Sequence, residues 1–236
     1  MKNKINILVL DSGIPNHSDI VNIDYKNSMN FTHELINDIY DHQTNVIGII
    51  SSNKIGISKN TNIIVGKILD KSSSGILNSL LEALLYGNKI NPDLINISVG
   101  YSKSALNEYN IDIHLKIKNL IKILYDKNIP VVCAAGNNNE NMYYPAAFKT
   151  TISVGIYYNY FKNIDYNCNI EYFVTTSKKN DYIISKGSSL ATAYLTGILA
   201  NFIQDNNVYT IQEIKEYINV NRELFNINYN EYIKIK

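Results

Sequence analysis

The 236-residue chain has only two cysteines, Cys133 and Cys168, which excludes a disulfide-stapled scaffold and a four-cysteine zinc site. Cys133 lies in the apolar run 131–135 and reads as a buried, reduced thiol. A strong charge of either sign is also missing. The 22 Lys and Arg balance 21 Asp and Glu, so there is no electrostatic case for nucleic acid or an anionic membrane as partner. No apolar run reaches membrane-spanning length without a polar interruption. The first, Ile5 to Leu10, is too short and is followed by no small-residue cleavage site. With Met1 taken as the native start, the reading is a protein made and kept in the cytoplasm. There is no internal repeat, low-complexity linker or composition break, so one domain over 1–236 is expected. A chain of this length buries roughly 70–75% of the surface its unfolded form exposes, enough for a core without staples.

What is present alternates between two periodicities. Ile5–Leu10, Ile63–Leu69, Leu94–Ser98, Ile129–Ala135 and Thr150–Gly155 read as buried strands. Between them, His42–Ser51 reads as a short helix, and Ile76, Leu77, Leu80, Leu81, Leu84 and Leu85 fall at helical spacing. An amphipathic helix spans about Ile111–Asp126, with His114 placed on its surface. This alternation predicts an α/β fold, a mostly parallel central sheet with helices on both faces. From Tyr157 to Ser185 the pattern weakens into peripheral strands and loops. Ser188–Gln204 is apolar nearly all round, as befits a central helix. Thr210 and Glu213 form a capping box that opens a last surface helix.

Four places set a chemically useful side chain at a strand end or helix start. Asp11 follows the strand Val9-Leu10 and precedes Ser12-Gly13, where an acid points into the crevice at the sheet's C-terminal edge. A plain turn would use the same residues. Asp41 is a candidate N-cap, placing His42 in the first turn of its helix. The other histidines, His17, His33 and His114, lack a comparable setting. Asn137 ends the run Ala134-Ala135-Gly136, suited to a left-handed turn or to an amide donor. Ser189, in Gly187-Ser188-Ser189-Leu190-Ala191, opens the central apolar helix. It is placed there either for capping or where the helix dipole favours developing negative charge.

Taken together, in the order acid, histidine, amide, serine, these residues resemble the subtilase family of subtilisin-like serine peptidases. Asp11 resembles its D-[ST]-G aspartate, His42 its H-G-T-H-V-A-G histidine, Asn137 its A-A-G-N asparagine and Ser189 its G-T-S-M-A serine. Lys67-Ile68-Leu69-Asp70 resembles the family's K-V-L-D strand, Asn96-Ile97-Ser98-Val99-Gly100 its substrate-binding strand and Tyr144-Pro145-Ala146 its Y-P-A turn. The resemblance implies a triad of Asp11, His42 and Ser189 with Asn137 in the oxyanion hole. It also implies a peptide or protein substrate bound extended along Ser98, Val99 and Gly100. Ala135, Gly136, Tyr144 and Pro145 would wall the pocket for the residue before the scissile bond.

The sequence departs from the family pattern in several places. Gln43 stands where glycine follows the histidine, and is the departure expected to narrow or occlude the site. Asn45 replaces the second histidine of that motif. Lys59 and Ala193 replace prolines, and no A-P-G segment is visible near Val174–Lys178. With Met1 taken as the native start, the ten residues before Asp11 are expected to leave no room for the signal peptide and propeptide of typical members. No acidic calcium loop is evident, so no cofactor or metal is expected. Two functional readings follow: an endopeptidase of narrow specificity, such as leader removal from a ribosomally made peptide precursor, or a binding module that keeps the fold and cuts little.

Overall fold

The structure is a computed structural model that describes residues 4–71, 76–138, 141–158, 161–206 and 208–234. Its centre is a seven-stranded sheet in which every pairing is parallel. The strands are β1 (Ile5–Asp11), β2 (Met29–Asn30), β3 (Thr61–Lys67), β4 (Leu94–Ile97), β5 (Val131–Ala134), β6 (Ile152–Ile156) and β7 (Tyr166–Cys168), in spatial order β2-β3-β1-β4-β5-β6-β7. A separate antiparallel hairpin, β8 (Phe173–Ser177) and β9 (Asp181–Ser185), lies apart from the sheet. The segment after Tyr157, expected to be peripheral throughout, therefore supplies one strand to the sheet edge as well as the hairpin.

Strand parity divides the core. In β1, Ile5, Ile7 and Val9 pack on one face with Val46, Ile47 and Ile50 of helix α1 (His42–Ser51) and Leu195 and Leu199 of helix α4 (Ser188–Asp205). Leu8 and Leu10 face the other way, onto Leu80 and Leu84 of α2 (Ile76–Ile90) and Ile117 and Leu124 of α3 (Ile111–Asp126). The two-residue period of a strand produces this split, and it continues to the strand's end. Asp11 has the parity of Val9 and belongs to the α1 face. Burial of each such large side chain contributes about 1.5–3 kcal/mol.

The order of strands sets the crevice. From β1 the chain goes out to the edge at β2, comes back to β3 beside β1, and then crosses to β4 on the other side of β1. At such a switch, adjacent connections leave in opposite directions and open a crevice at the C-terminal strand ends. The register Leu10↔Ile97 then sets Asp11, the end of β1, level with Ser98, the residue after β4.

Two local expectations are corrected. His114 is buried, because it continues the apolar stripe of Ile117, Ile121 and Leu124 on α3. Its ring meets Tyr144 and Phe148, Nδ1 is 3.1 Å from the Tyr101 hydroxyl, and burial lowers its pKa. Asp41 holds the N-cap position as expected, its carbonyl accepting the Asn45 N–H, but it is in a left-handed conformation (φ 72°) and its side chain makes no cap. The capping carboxylate is Asp38, whose Oδ2 accepts the Thr44 N–H at 2.8 Å. The capping box at the last helix, α5 (Ile211–Lys234), forms as expected: Thr210 N–H donates to Glu213 Oε2 at 2.6 Å and Glu213 N–H to Thr210 Oγ1 at 3.2 Å.

Helix α1 is pressed so closely on the hairpin that a Cβ on Gly48 would stand 3.0 Å from the Thr176 backbone nitrogen and collide with the Thr176 hydroxyl. Gly48→Ala should therefore lower the melting temperature, although alanine is favoured by about 1 kcal/mol in a free helix. Overpacking against backbone costs about 1–3 kcal/mol, and in a chain this size each kcal/mol moves Tm by about 2–4 °C. Calorimetry of the variant checks this.

Candidate active site

Asp11 is wholly buried at the end of β1. One oxygen accepts the Ser12 N–H at 2.7 Å, and both lie 2.8 Å from Nδ1 of His42, the first residue of α1. A carboxylate can only accept, so Nδ1 carries the proton, and Nε2 of the neutral ring is left as a base. The imidazole is about one-third exposed while its partner has no exposure, so the pair faces solvent through the histidine alone. Asp11 raises the His42 pKa by its charge, against desolvation that lowers it; the hydrogen bond and the more distant Asp38 add to the rise.

The start of α1 is held by a second buried carboxylate. Asp38 Oδ1 accepts Ser12 Oγ at 2.8 Å and the N–H groups of Tyr40 and Asp41 at 3.1 Å, and Oδ2 accepts both the N–H and the hydroxyl of Thr44. From beneath, the fully buried Lys67 donates its ammonium to Ser12 O at 2.8 Å and Asn37 O at 3.3 Å, with Glu34 Oε2 at 3.7 Å. Asp41, freed from capping, accepts the Lys178 N–H at 2.6 Å and so ties the hairpin to the residue before His42.

Ser189 is the second residue of α4, after Gly187 at φ 135°, where the dipole of an 18-residue helix favours negative charge. Its hydroxyl donates to Ser98 O at 2.7 Å, and Ser98 Oγ lies 3.0 Å from Ser189 O. Asn137 follows β5. Its Oδ1 accepts the Ser188 N–H at 2.8 Å. An N–H requires an acceptor, so the amide orientation is settled and Nδ2 turns the other way, available to donate. A cleft of about 340 Å³ is lined by Ser98, Val99, Gly100, Gly136, Asn137 and Ser189, together with Ala134, Asn138, Tyr143 and Ser188.

Asp11 and His42 are not part of that lining, and neither are three of the expected substrate-binding residues. Ala135 is buried behind it, its N–H on Val154 O and its carbonyl accepting Tyr143 N–H. Tyr144 pairs its backbone with Tyr101 and turns its ring to His114 and Phe148, and Pro145 is buried beside it. The neighbouring Tyr143 is the aromatic in the cleft. Gln43, expected to narrow or occlude the site, is entirely buried below it, so it obstructs nothing and the main support for a non-cutting module falls away. The sequence reading missed Asp38 and Tyr143. An acid four residues before the histidine is a signal for Asp38; nothing in the spacing separates Tyr143 from Tyr144. Among the described residues, no group of three or more His, Cys, Asp or Glu side chains is placed to hold a metal, and no helix is long and apolar enough to cross a membrane.

His42 should titrate above 6.5, its ordinary value, in imidazole NMR, and Asp11→Asn should bring it down. A raised folded pKa stabilises the protein fully below the unfolded value, and that contribution is lost as pH rises through the folded one.

A model described as the subtilase family matches residues 2–224. The chain is 27% identical over 198 residues to the thermophilic serine proteinase of Bacillus sp. (strain AK1), an alignment covering 76% of this chain and 47% of that protein. It is 23% identical over 238 residues to the intracellular serine protease of Paenibacillus polymyxa, covering 90% and 70% respectively. The chain thus spans about half the length of the first relative. Among solved structures, the epidermin leader peptide processing serine protease of Staphylococcus aureus shares the fold with a TM-score of 0.73 at 21% identity, over 86% of this chain and 65% of that one. With nearly its whole length matched by the family model, the chain belongs to the subtilase family, the subtilisin-like serine proteases.

Proposed function

We propose that this chain hydrolyses peptide bonds by acyl transfer through Ser189, with His42 as general base and Asp11 as its orienting acid. The observation that carries the reading is the registered pair of strand ends. Asp11, bonded to His42, stands level with Ser98, on whose carbonyl the Ser189 hydroxyl rests. Adjacent strands are about 4.8 Å apart. The reaction requires the Ser189 hydroxyl to leave Ser98 O and turn to the imidazole.

Ser189 Oγ then bonds to the scissile carbonyl carbon while His42 Nε2 takes its proton. The carbonyl oxygen becomes an oxyanion, for which Asn137 Nδ2 and the Ser189 N–H are the donors. Collapse breaks the C–N bond, and His42 hands the proton to the leaving amine. Water repeats the sequence on the acyl-enzyme, releasing acid and free serine. Asp11 holds Nδ1 protonated throughout and stabilises the imidazolium. The base must be neutral, so activity is lost as pH falls through the raised pKa of His42.

The substrate lies extended past Ser98, Val99 and Gly100, and the residue that supplies the scissile carbonyl must place its side chain in the cleft beside Ser189. The Tyr143 ring walls that space, standing 3.2 Å from where a Cβ on Gly136 would be. A small cleft walled on one side by a tyrosine supports narrow specificity, and removal of a leader from a ribosomally made peptide precursor is the role we favour. The likeness to a leader-processing protease is consistent with it. Action inside the cell is part of the same proposal, consistent with the relative named as intracellular.

A fluorophosphonate probe tests the chemistry. It should label wild type on Ser189 alone and leave Ser189→Ala unlabelled; folded wild type without an adduct would sink the proposal. Against peptide substrates, Ser189→Ala or His42→Ala should cost about 10⁶ in kcat and Asn137→Ala roughly 10²–10³, the losses known for the corresponding groups of a subtilisin. Tyr143→Ala should shift preference toward larger side chains before the cleaved bond by roughly tenfold or more in kcat/KM. Equal cutting of unrelated unfolded proteins by wild type would exclude the leader-removal role.

A further inference from the structure

Gln43 follows the histidine, where the family motif has glycine, and its side chain has no exposure at all. Its carboxamide reaches back to the end of β1. Nε2 donates to Val9 O at 3.1 Å and Oε1 accepts the Gly13 N–H at 2.6 Å. These two backbone groups stand on either side of Asp11, one two residues before it and one two residues after. Gln43's own N–H donates to Ser12 Oγ at 3.0 Å, and that hydroxyl in turn donates to Asp38. One residue is thus covalently joined to the base and hydrogen-bonded to the chain before, beside and after the acid.

The segment it holds has little freedom of its own. Gly13 is at φ 132°, and a Cβ there would stand 2.7 Å from Asn37 O, so the turn after Asp11 is wedged against the 36–37 backbone. The backbone on either side of Asp11 aims its carboxylate at Nδ1, and the two amide bonds of Gln43 hold the Val9–Leu10 and Ser12–Gly13 peptide groups, one peptide removed from Asp11 on each side.

We infer that Gln43 is a positioning residue of the Asp11–His42 pair, a carboxamide clamp that sets acid and base at their 2.8 Å separation. It touches neither substrate nor reacting atoms and acts through Asp11. A carboxamide is suited to the task because it offers one donor and one acceptor in a fixed plane, matching a carbonyl and an N–H that lie apart on one strand end. Glycine at this position offers neither, and a carboxylate could accept from Gly13 but not donate to Val9. The kinetic consequence rests on the hydrolytic reading above; the effect on the pair does not.

The experiment compares wild type with Gln43→Met, which keeps bulk and removes both polar contacts. The readouts are His42 titration by imidazole NMR, the Nδ1–H proton resonance, and kcat and KM on a peptide substrate. The charged groups acting on His42 are Asp11 and Asp38, so a loosened pair should move its pKa down toward the ordinary value and weaken the Nδ1–H signal. The kcat should fall roughly 10- to 100-fold with KM within about twofold, as expected of a small misplacement of catalytic groups. Gly48→Ala, which strains the same helix without touching β1, serves as the stability control. Gln43→Met with reduced Tm but a wild-type titration and kcat, the pattern of that control, would show Gln43 to be structural only and overturn the inference. If Gln43→Met does not fold, Gln43→Asn is read instead; its shorter amide reaches one partner at most and should show the same signs at smaller size, or overturn the inference by showing none. Wild type inert toward substrate would refute the hydrolytic reading, while the NMR comparison would still decide for or against the clamp.

Discussion

Two buried carboxylates, Asp11 and Asp38, that share Ser12 as a hydrogen-bond donor govern how this site is built. A buried charge is tolerated only when donors surround it, and Asp11 and Asp38 draw theirs from the same two segments, 11–13 and 38–44. Asp11 takes the Ser12 N–H and the His42 ring; Asp38 takes the Ser12 hydroxyl and the first turn of α1. Satisfying them and docking α1 on the end of β1 are therefore a single structural event. The histidine cannot leave the acid without stranding a charge, so its tautomer and orientation come with the fold.

The serine side is assembled differently, from backbone and short side chains. Ser189 rests on the Ser98 carbonyl and Ser188 N–H anchors Asn137, so the helix start and two strand ends hold one another without any charge. The cleft between them has glycine at 100 and 136, where a side chain would run into Tyr143 and the Tyr144 carbonyl, so the two glycines let these strand ends close up on the tyrosine turn. A charged half built round Asp11 and Asp38 and a neutral half built round Ser189 and Asn137 meet at the switch between β1 and β4.

The departures from the family pattern are absorbed locally. Lys59, in place of a proline, donates its ammonium to Ser52 O at 2.7 Å and Asn53 O at 2.8 Å, just beyond the C-terminal end of α1, where a cation is favoured. Ala193 lets α4 run unbroken for 18 residues. Gln43 goes inward, a choice of rotamer and partner that no motif expresses. The same limit explains the two other misplacements. His114 looked like a surface residue because polarity outweighed its place in the stripe of Ile117 and Leu124. Asp41 looked like the capping carboxylate because it adjoins the helix, whereas the geometry of a left-handed residue passed that role to Asp38.

The sequence by itself determined the alternation of strands and helices, the place of Asp11, His42, Asn137 and Ser189 at element ends, and the family. These are local or periodic properties, carried by residue type and spacing along one chain. Only the tertiary structure decided which strand ends share a level, that Tyr143 rather than Tyr144 walls the cleft, that Lys67 lies beneath the Asp11 turn, and that Gln43 braces the acid instead of blocking the substrate. Each of those depends on groups brought together from distant parts of the chain, where neighbouring side chains have equal claim until packing and the demand for hydrogen-bond partners select one.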